Sequence, residues 1–146
     1  MTGRDLRTSH EFTGFTTAGP DRVWSALTGP ATTCYLHGLS LRTTWVVGDP
    51  ITFTAGTGAD PAWTMQGVAL YVQEPVRLTY SMQSSPDDPL VFVTWRLRPC
   101  ASGCAITLII DDLDCPEDKD DAEAAWLPVL ANLQRHLDSS QAKRPN

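Results

Sequence analysis

Between residues 41 and 111 the chain repeatedly alternates β-branched and aromatic runs with short turn segments, and one amphipathic stretch follows. The runs fall at residues 41–46, 51–55, 63–73, 76–83, 90–98 and 104–111. Gly48-Asp49-Pro50, Glu74-Pro75 and the segment from Pro99 to Gly103 stand among the separators, where proline and glycine interrupt a strand ladder. Connections this short predict an antiparallel meander, because parallel neighbours need a crossover of about a dozen residues or more. Three runs alternate cleanly. Leu78, Tyr80 and Met82 oppose Arg77, Thr79 and Ser81; Val93, Trp95 and Leu97 oppose Thr94, Arg96 and Arg98; Cys104, Ile106, Leu108 and Ile110 oppose Ala105 and Thr107. Such a sheet buries one face and wets the other.

The flanking segments predict what covers that apolar face. Residues 9–17 read as a strand with His10, Phe12 and Gly14 on one side. Gly19-Pro20-Asp21 starts a helix, since proline at the first helical position loses a donor that would be unpaired anyway. Val23, Trp24, Ala26 and Leu27 give that helix an apolar side, and Gly29-Pro30 stops it. A second short helix is predicted over residues 30–37, ending at Gly38. The last element is a helix near residues 117–138, with a stripe of Ala122, Ala125, Trp126, Val129, Leu130, Leu133 and Leu137. Pro128 lies within it and predicts a bend, because the carbonyl of Ala124 loses its donor.

Together these elements predict an α+β domain over residues 8–139, with flexible termini at 1–7 and 140–146. Its expected form is a curved antiparallel sheet of about seven strands with two short helices and a long C-terminal helix across the concave face. One helix rarely fills such a concavity, so a ligand pocket between helix and sheet is expected. Its predicted lining is Phe53, Trp63, Leu70, Tyr80, Met82, Trp95, Ile106, Leu108, Trp126 and Leu130, with His10 and Cys34 as polar groups.

Particular segments resemble a known family. Pro20-Asp21-Arg22-Val23-Trp24-Ser25-Ala26-Leu27-Thr28 is similar to its first helix. Val47-Gly48-Asp49-Pro50-Ile51-Thr52-Phe53, Gly67-Val68, Glu74-Pro75-Val76-Arg77-Leu78-Thr79-Tyr80 and Val93-Thr94-Trp95-Arg96-Leu97 follow in the same order. Gly103 to Leu108 and then Trp126 complete the resemblance, which covers residues 10–138. The family is the SRPBCC superfamily of START-like, helix-grip domains, in the branch similar to activators of the heat shock protein 90 ATPase. The resemblance implies binding of a small hydrophobic molecule between the last helix and the sheet, for sequestration or transport. Behind that reading it leaves two alternatives, a chaperone-associated interaction module and an enzyme like the polyketide cyclases and aromatases. This chain departs from the pattern where the second short helix often carries a tryptophan and here reads Cys34-Tyr35-Leu36.

Charge narrows the partners further. The net charge of −6 is concentrated in residues 111–123, where eight carboxylates stand against Lys119 alone and the rest of the chain is near neutral. That distribution offers no basic face for nucleic acid. No apolar run approaches the roughly 20 residues that span a bilayer, and the N-terminus lacks a secretory apolar core, so the sequence predicts a cytoplasmic protein without membrane contact. The bias toward arginine over lysine, nine to two, fits GC-rich bacterial coding. No cofactor or metal is expected. Cys100 and Cys104 lack a second ligand pair, and Asp112, Asp114 and Asp118 lack the central glycine of a calcium loop. His10, His37 and His136 have no catalytic partner at a recognisable spacing, and no nucleophile elbow or phosphate loop occurs. The sequence therefore leans toward binding rather than catalysis.

Overall fold

The computed structural model describes residues 8–29, 32–36, 39–55, 63–83, 85, 87, 90–112 and 119–142. The elements are β1 (Thr8–Thr16), α1 (Pro20–Thr28), α2 (Thr32–Tyr35), β2 (Ser40–Arg42), β3 (Pro50–Ala55), β4 (Trp63–Gln73), β5 (Arg77–Met82), β6 (Val91–Cys100), β7 (Gly103–Asp112) and α3 (Lys119–Ala142). All seven strands form one antiparallel sheet in the order β1-β7-β6-β5-β4-β3-β2. The first strand thus pairs with the last, and the meander runs from β7 out to β2 at the opposite edge. The sheet is curved, and the long helix grips its concave side, as the sequence pattern predicts.

Two features of β4 produce that curvature. Gly67 sits where β4 passes from pairing with β5 to pairing with β3, opposite Ile51. A Cβ there would lie 1.9 Å from the Ser81 carbonyl oxygen, so only glycine allows the two strands to cross this closely. Immediately beyond it, the register between β4 and β5 shifts between Ala69 and Tyr71, a bulge that adds twist. Ser81 closes the corner by accepting a hydrogen bond from the Val68 N–H at 3.0 Å.

The expected strand at residues 41–46 ends early, at Arg42. The hydroxyls of Thr43 and Thr44 accept from the N–H groups of Trp45 and Val46, and Thr44 also donates to Asp49. These local bonds compete with the ladder and turn the chain out of the sheet. Trp45 consequently takes φ 60°, a left-handed conformation that costs a non-glycine residue on the order of 1 kcal/mol.

On α3, Val129, Leu130, Leu133 and Leu137 are buried, while Ala125 and Trp126 are half-buried. Each fully buried aliphatic side chain stabilises the docked helix by about 1.5–3 kcal/mol. The helix continues to Ala142, beyond the expected end at residue 138, and is helical on both sides of Pro128. Its C-terminal half is fastened to β1 by polar contacts. Gln134 Nε2 donates to the Phe15 carbonyl at 2.7 Å, over Gly14, where a Cβ would come within 3.0 Å of the Gln134 amide. Asp138 Oδ1 accepts from the Thr16 hydroxyl at 2.6 Å and from the N–H and hydroxyl of Thr17, each at 3.2 Å.

The bond from Thr16, foremost, and those from Thr17 hold the Asp138 carboxyl below the usual aspartate range. A depressed value favours the folded state above the ordinary aspartate range, and the benefit is lost as pH falls through it. Amide protection in the last turns of α3 is therefore expected to fall, beyond the intrinsic exchange trend, below about pH 4. Asp138→Ala is expected to lose part of that protection already at neutral pH. Equal protection in the two proteins at neutral pH would contradict this clamp.

Candidate ligand-binding site

The site begins at the C-terminus of α1, where the last carbonyls of a helix have no partner within it. Tyr35 on α2 donates its hydroxyl to the Leu27 carbonyl at 3.1 Å, and Trp45 donates Nε1–H to the Thr28 carbonyl at 3.1 Å. Both bonds satisfy helix-end acceptors, and both aim an aromatic ring at the sheet. Tyr35 meets Trp95 edge to face at 5.9 Å between ring centres, and Trp45 lies 6.0 Å from Tyr80. Phe53 approaches Tyr80 from β3 at 5.9 Å. Pairs of this geometry add about 0.5–1.5 kcal/mol each beyond their buried area. Five aromatic side chains, from two helical or loop segments and three strands, thus form one continuous cradle.

Sheet register fixes its floor. Ala69, Tyr80, Val93, Ile110 and His10 align in one inward-facing row across the strands, and Leu78, Trp95, Leu108 and Phe12 align in the next. Trp95 and Tyr80 are adjacent on these rows, and Trp95 Nε1–H donates to the Tyr80 hydroxyl at 3.2 Å. Among the described residues the Tyr80 hydroxyl donates to no acceptor, although the side chain is only 1% exposed. Burial pushes the Tyr80 phenol up to about 12, the Trp95 bond opposing it, and burial, then Tyr80, raises Tyr35 well above its ordinary value. Both phenols are protonated at neutral pH. Tyr80 accordingly presents a buried O–H donor at the centre of an apolar surface.

The expected site residues separate into three groups. Phe53, Tyr80, Met82, Trp95, Ile106, Leu108 and Leu130 are buried in the core, with Trp126 half-buried against it. His10 is buried on the inner face of β1. Leu70 departs from its expected inner position: it is the extra residue of the β4 bulge, which turns it outward to 40% exposure. The side chains of Trp63 and Cys34 lie outside the described residues, as do His37 and the acidic segment 113–118. Trp45 and Tyr35 join the cradle from outside the expected lining, and Tyr35 is the one that carried no expectation as a pocket residue. The signal for it was the departure Cys34-Tyr35-Leu36, where an aromatic residue persists one position away from the change.

Metal chemistry finds no purchase among the described residues, which hold no group of three or more candidate ligands. Cys104 is buried on the inner face and Cys100 is exposed, and both are free thiols. Among the described residues no helix is long and apolar enough to cross a membrane.

A family model described as activator of Hsp90 ATPase homolog 1-like protein matches residues 17–138. The chain belongs to that family. As a member of the activator of Hsp90 ATPase homolog 1-like family, it shares its fold with solved structures at low identity. Protein MLL2253 of Mesorhizobium loti is similar at a TM-score of 0.74 and 20% identity, over 90% of this chain and 98% of that one. CalU16 of Micromonospora echinospora is similar at a TM-score of 0.66 and 20% identity, over 92% of this chain and 79% of its own. DynU16, a protein of the dynemicin biosynthetic locus, is similar at a TM-score of 0.71 and 23% identity, over 94% of this chain and 49% of its own. A comparison with curated proteins finds no match.

Proposed function

We propose that this chain binds a small, largely apolar molecule carrying one hydrogen-bond acceptor, between the aromatic cradle and α3. The observation that carries the reading is the Tyr80 hydroxyl, buried among Trp45, Phe53 and Trp95 with its donor unused among the described residues. A buried donor without an acceptor costs about 1–3 kcal/mol, which a ligand oxygen placed there would recover. Apolar burial supplies the affinity and Tyr80 the orientation. Trp45 is the member of the cradle borne on a loop, so displacing its indole opens the cradle without breaking a strand ladder.

Sequestration or transport fits this arrangement better than turnover. The two buried phenols are held protonated by burial and act as hydrogen-bonding groups, not as bases, at neutral pH. The fold shared with DynU16, a protein of the dynemicin biosynthetic locus, supports a small molecule as the ligand class. The test is a titration with 1-acetonaphthone, a bicyclic ketone, against 1-ethylnaphthalene, which lacks the acceptor. The ketone is expected to bind about fivefold more tightly, as one net hydrogen bond of about 1 kcal/mol requires. Tyr80→Phe is expected to abolish that preference, and a preference that survives the substitution would remove Tyr80 from the site.

A further inference from the structure

The opposite face of the sheet carries a second concavity. A depression of about 610 Å³ opens on the outer surface of β1, β7 and β6, around Glu11, Thr13, Arg96, Arg98, Ala105 and Thr107. Register explains its shape. Arg96, Thr107 and Thr13 form one outward row, and Arg98 and Ala105 lie in the next. Ala105 is short and its neighbours are tall, so the row dips at its centre, with Val76 and Pro99 adding apolar wall. The volume lies within the range of about 300–1,000 Å³ typical of small-molecule sites.

Its charge is unusual for this protein. In a chain of net −6, Arg96 and Arg98 project side by side into the depression against the single carboxylate of Glu11. Arg77 stands directly across from Arg96 in the ladder, a like-charge pairing that destabilises a sheet. Arg77 instead lies over the Tyr71 ring at 4.8 Å, which leaves Arg96 facing the depression. Among the described residues neither Arg96 nor Arg98 forms an ion pair. Two guanidinium groups and one carboxylate leave room for one further negative charge. A guanidinium presents a planar fork of donors that matches a carboxylate.

We propose that this outer depression binds a small organic monocarboxylate with an apolar body, its carboxylate between Arg96 and Arg98 and its body over Ala105, Val76 and Pro99. The site is separate from the concave cradle and stands or falls independently of it. A single negative charge on the ligand neutralises the local excess, whereas a doubly charged phosphate ester meets Glu11 as well.

The test is an amide and indole NMR titration with 2-naphthoate, using 2-naphthol as the neutral comparator. Saturable shifts are expected at residues 96–98, 105–107 and 11–13, with the Trp45 and Trp95 indoles unmoved and the affinity falling as salt rises. The double variant Arg96→Gln, Arg98→Gln is expected to weaken binding by about tenfold or more. Glu11→Gln, which removes the opposing charge, is expected to tighten it a few-fold. Equal shifts with 2-naphthol, undiminished binding in the double variant, unchanged or weaker binding in Glu11→Gln, or shifts confined to the indoles would each overturn the proposal.

Discussion

Gly67→Ala is expected to lower the melting temperature on the order of 10 °C. The new Cβ would lie 1.9 Å from the Ser81 carbonyl oxygen, 2.9 Å from its carbon and 3.0 Å from Phe53 Cε1. Neither neighbour can yield cheaply. Ser81 belongs to a paired strand and accepts the Val68 N–H through its side chain, while Phe53 is fully buried against Tyr80. Overpacking a well-filled interior typically costs about 1–3 kcal/mol, and a clash with backbone lies at or above the top of that range. In a domain of this size each kcal/mol moves the melting temperature by about 2–8 °C. Thermal unfolding followed by circular dichroism measures this directly. A variant melting within about 2 °C of the parent would show that the corner does not depend on the close approach.

Trp95→Ala is expected to cost about 3–5 kcal/mol, the usual range for truncating a large buried aromatic side chain. Trp95 is fully buried, meets Tyr35 edge to face and donates to Tyr80. Its loss therefore opens a void and removes the one donor that the Tyr80 oxygen has among the described residues. Trp95→Phe retains most of the volume and removes only the indole N–H, so it should cost less. Urea unfolding separates the two variants. A cost under about 1 kcal/mol for Trp95→Ala would mean that neighbouring side chains close the void, and that Trp95 does not organise the cradle.

Much of this fold is legible in the sequence because its turns are chemically marked. Pro50 and Gly103 open β3 and β7, Pro75 lies in the turn between β4 and β5, and alternation along β5, β6 and β7 then assigns the inner face. The departures have local physical causes. Residues 43–46 look like strand by composition, but the hydroxyls of Thr43 and Thr44 capture the backbone first. Leu70 has the right polarity for the inner face, but a bulge inserts one residue and turns it outward. The hydroxyl bonds lie within one segment, whereas the bulge depends on where a neighbouring strand lies, which no single segment encodes.

The candidate site is legible in part for the same reason. Alternation identifies Tyr80 and Trp95 as inward, yet their hydrogen bond depends on register between β5 and β6. Tyr35 enters the site because it satisfies a carbonyl at the end of α1, a requirement of the folded helix rather than of the local sequence. The outer depression is invisible to pattern reading. Alternation marks Arg96, Arg98 and Thr107 as solvent-facing, but not that Ala105 leaves a hollow between them.

The claim that the concave cradle is the binding site is tested most directly by the indole N–H resonances of Trp45 and Trp95 during the 1-acetonaphthone titration. These two protons bond to Thr28 and Tyr80, on the rim and at the centre of the cradle. A ligand accepting from Tyr80 must alter both environments, so saturable shifts of both indoles with a common dissociation constant are the predicted result. Unmoved indoles across a titration that shifts other resonances, or no saturable change up to the solubility limit of the ketone, would contradict the account.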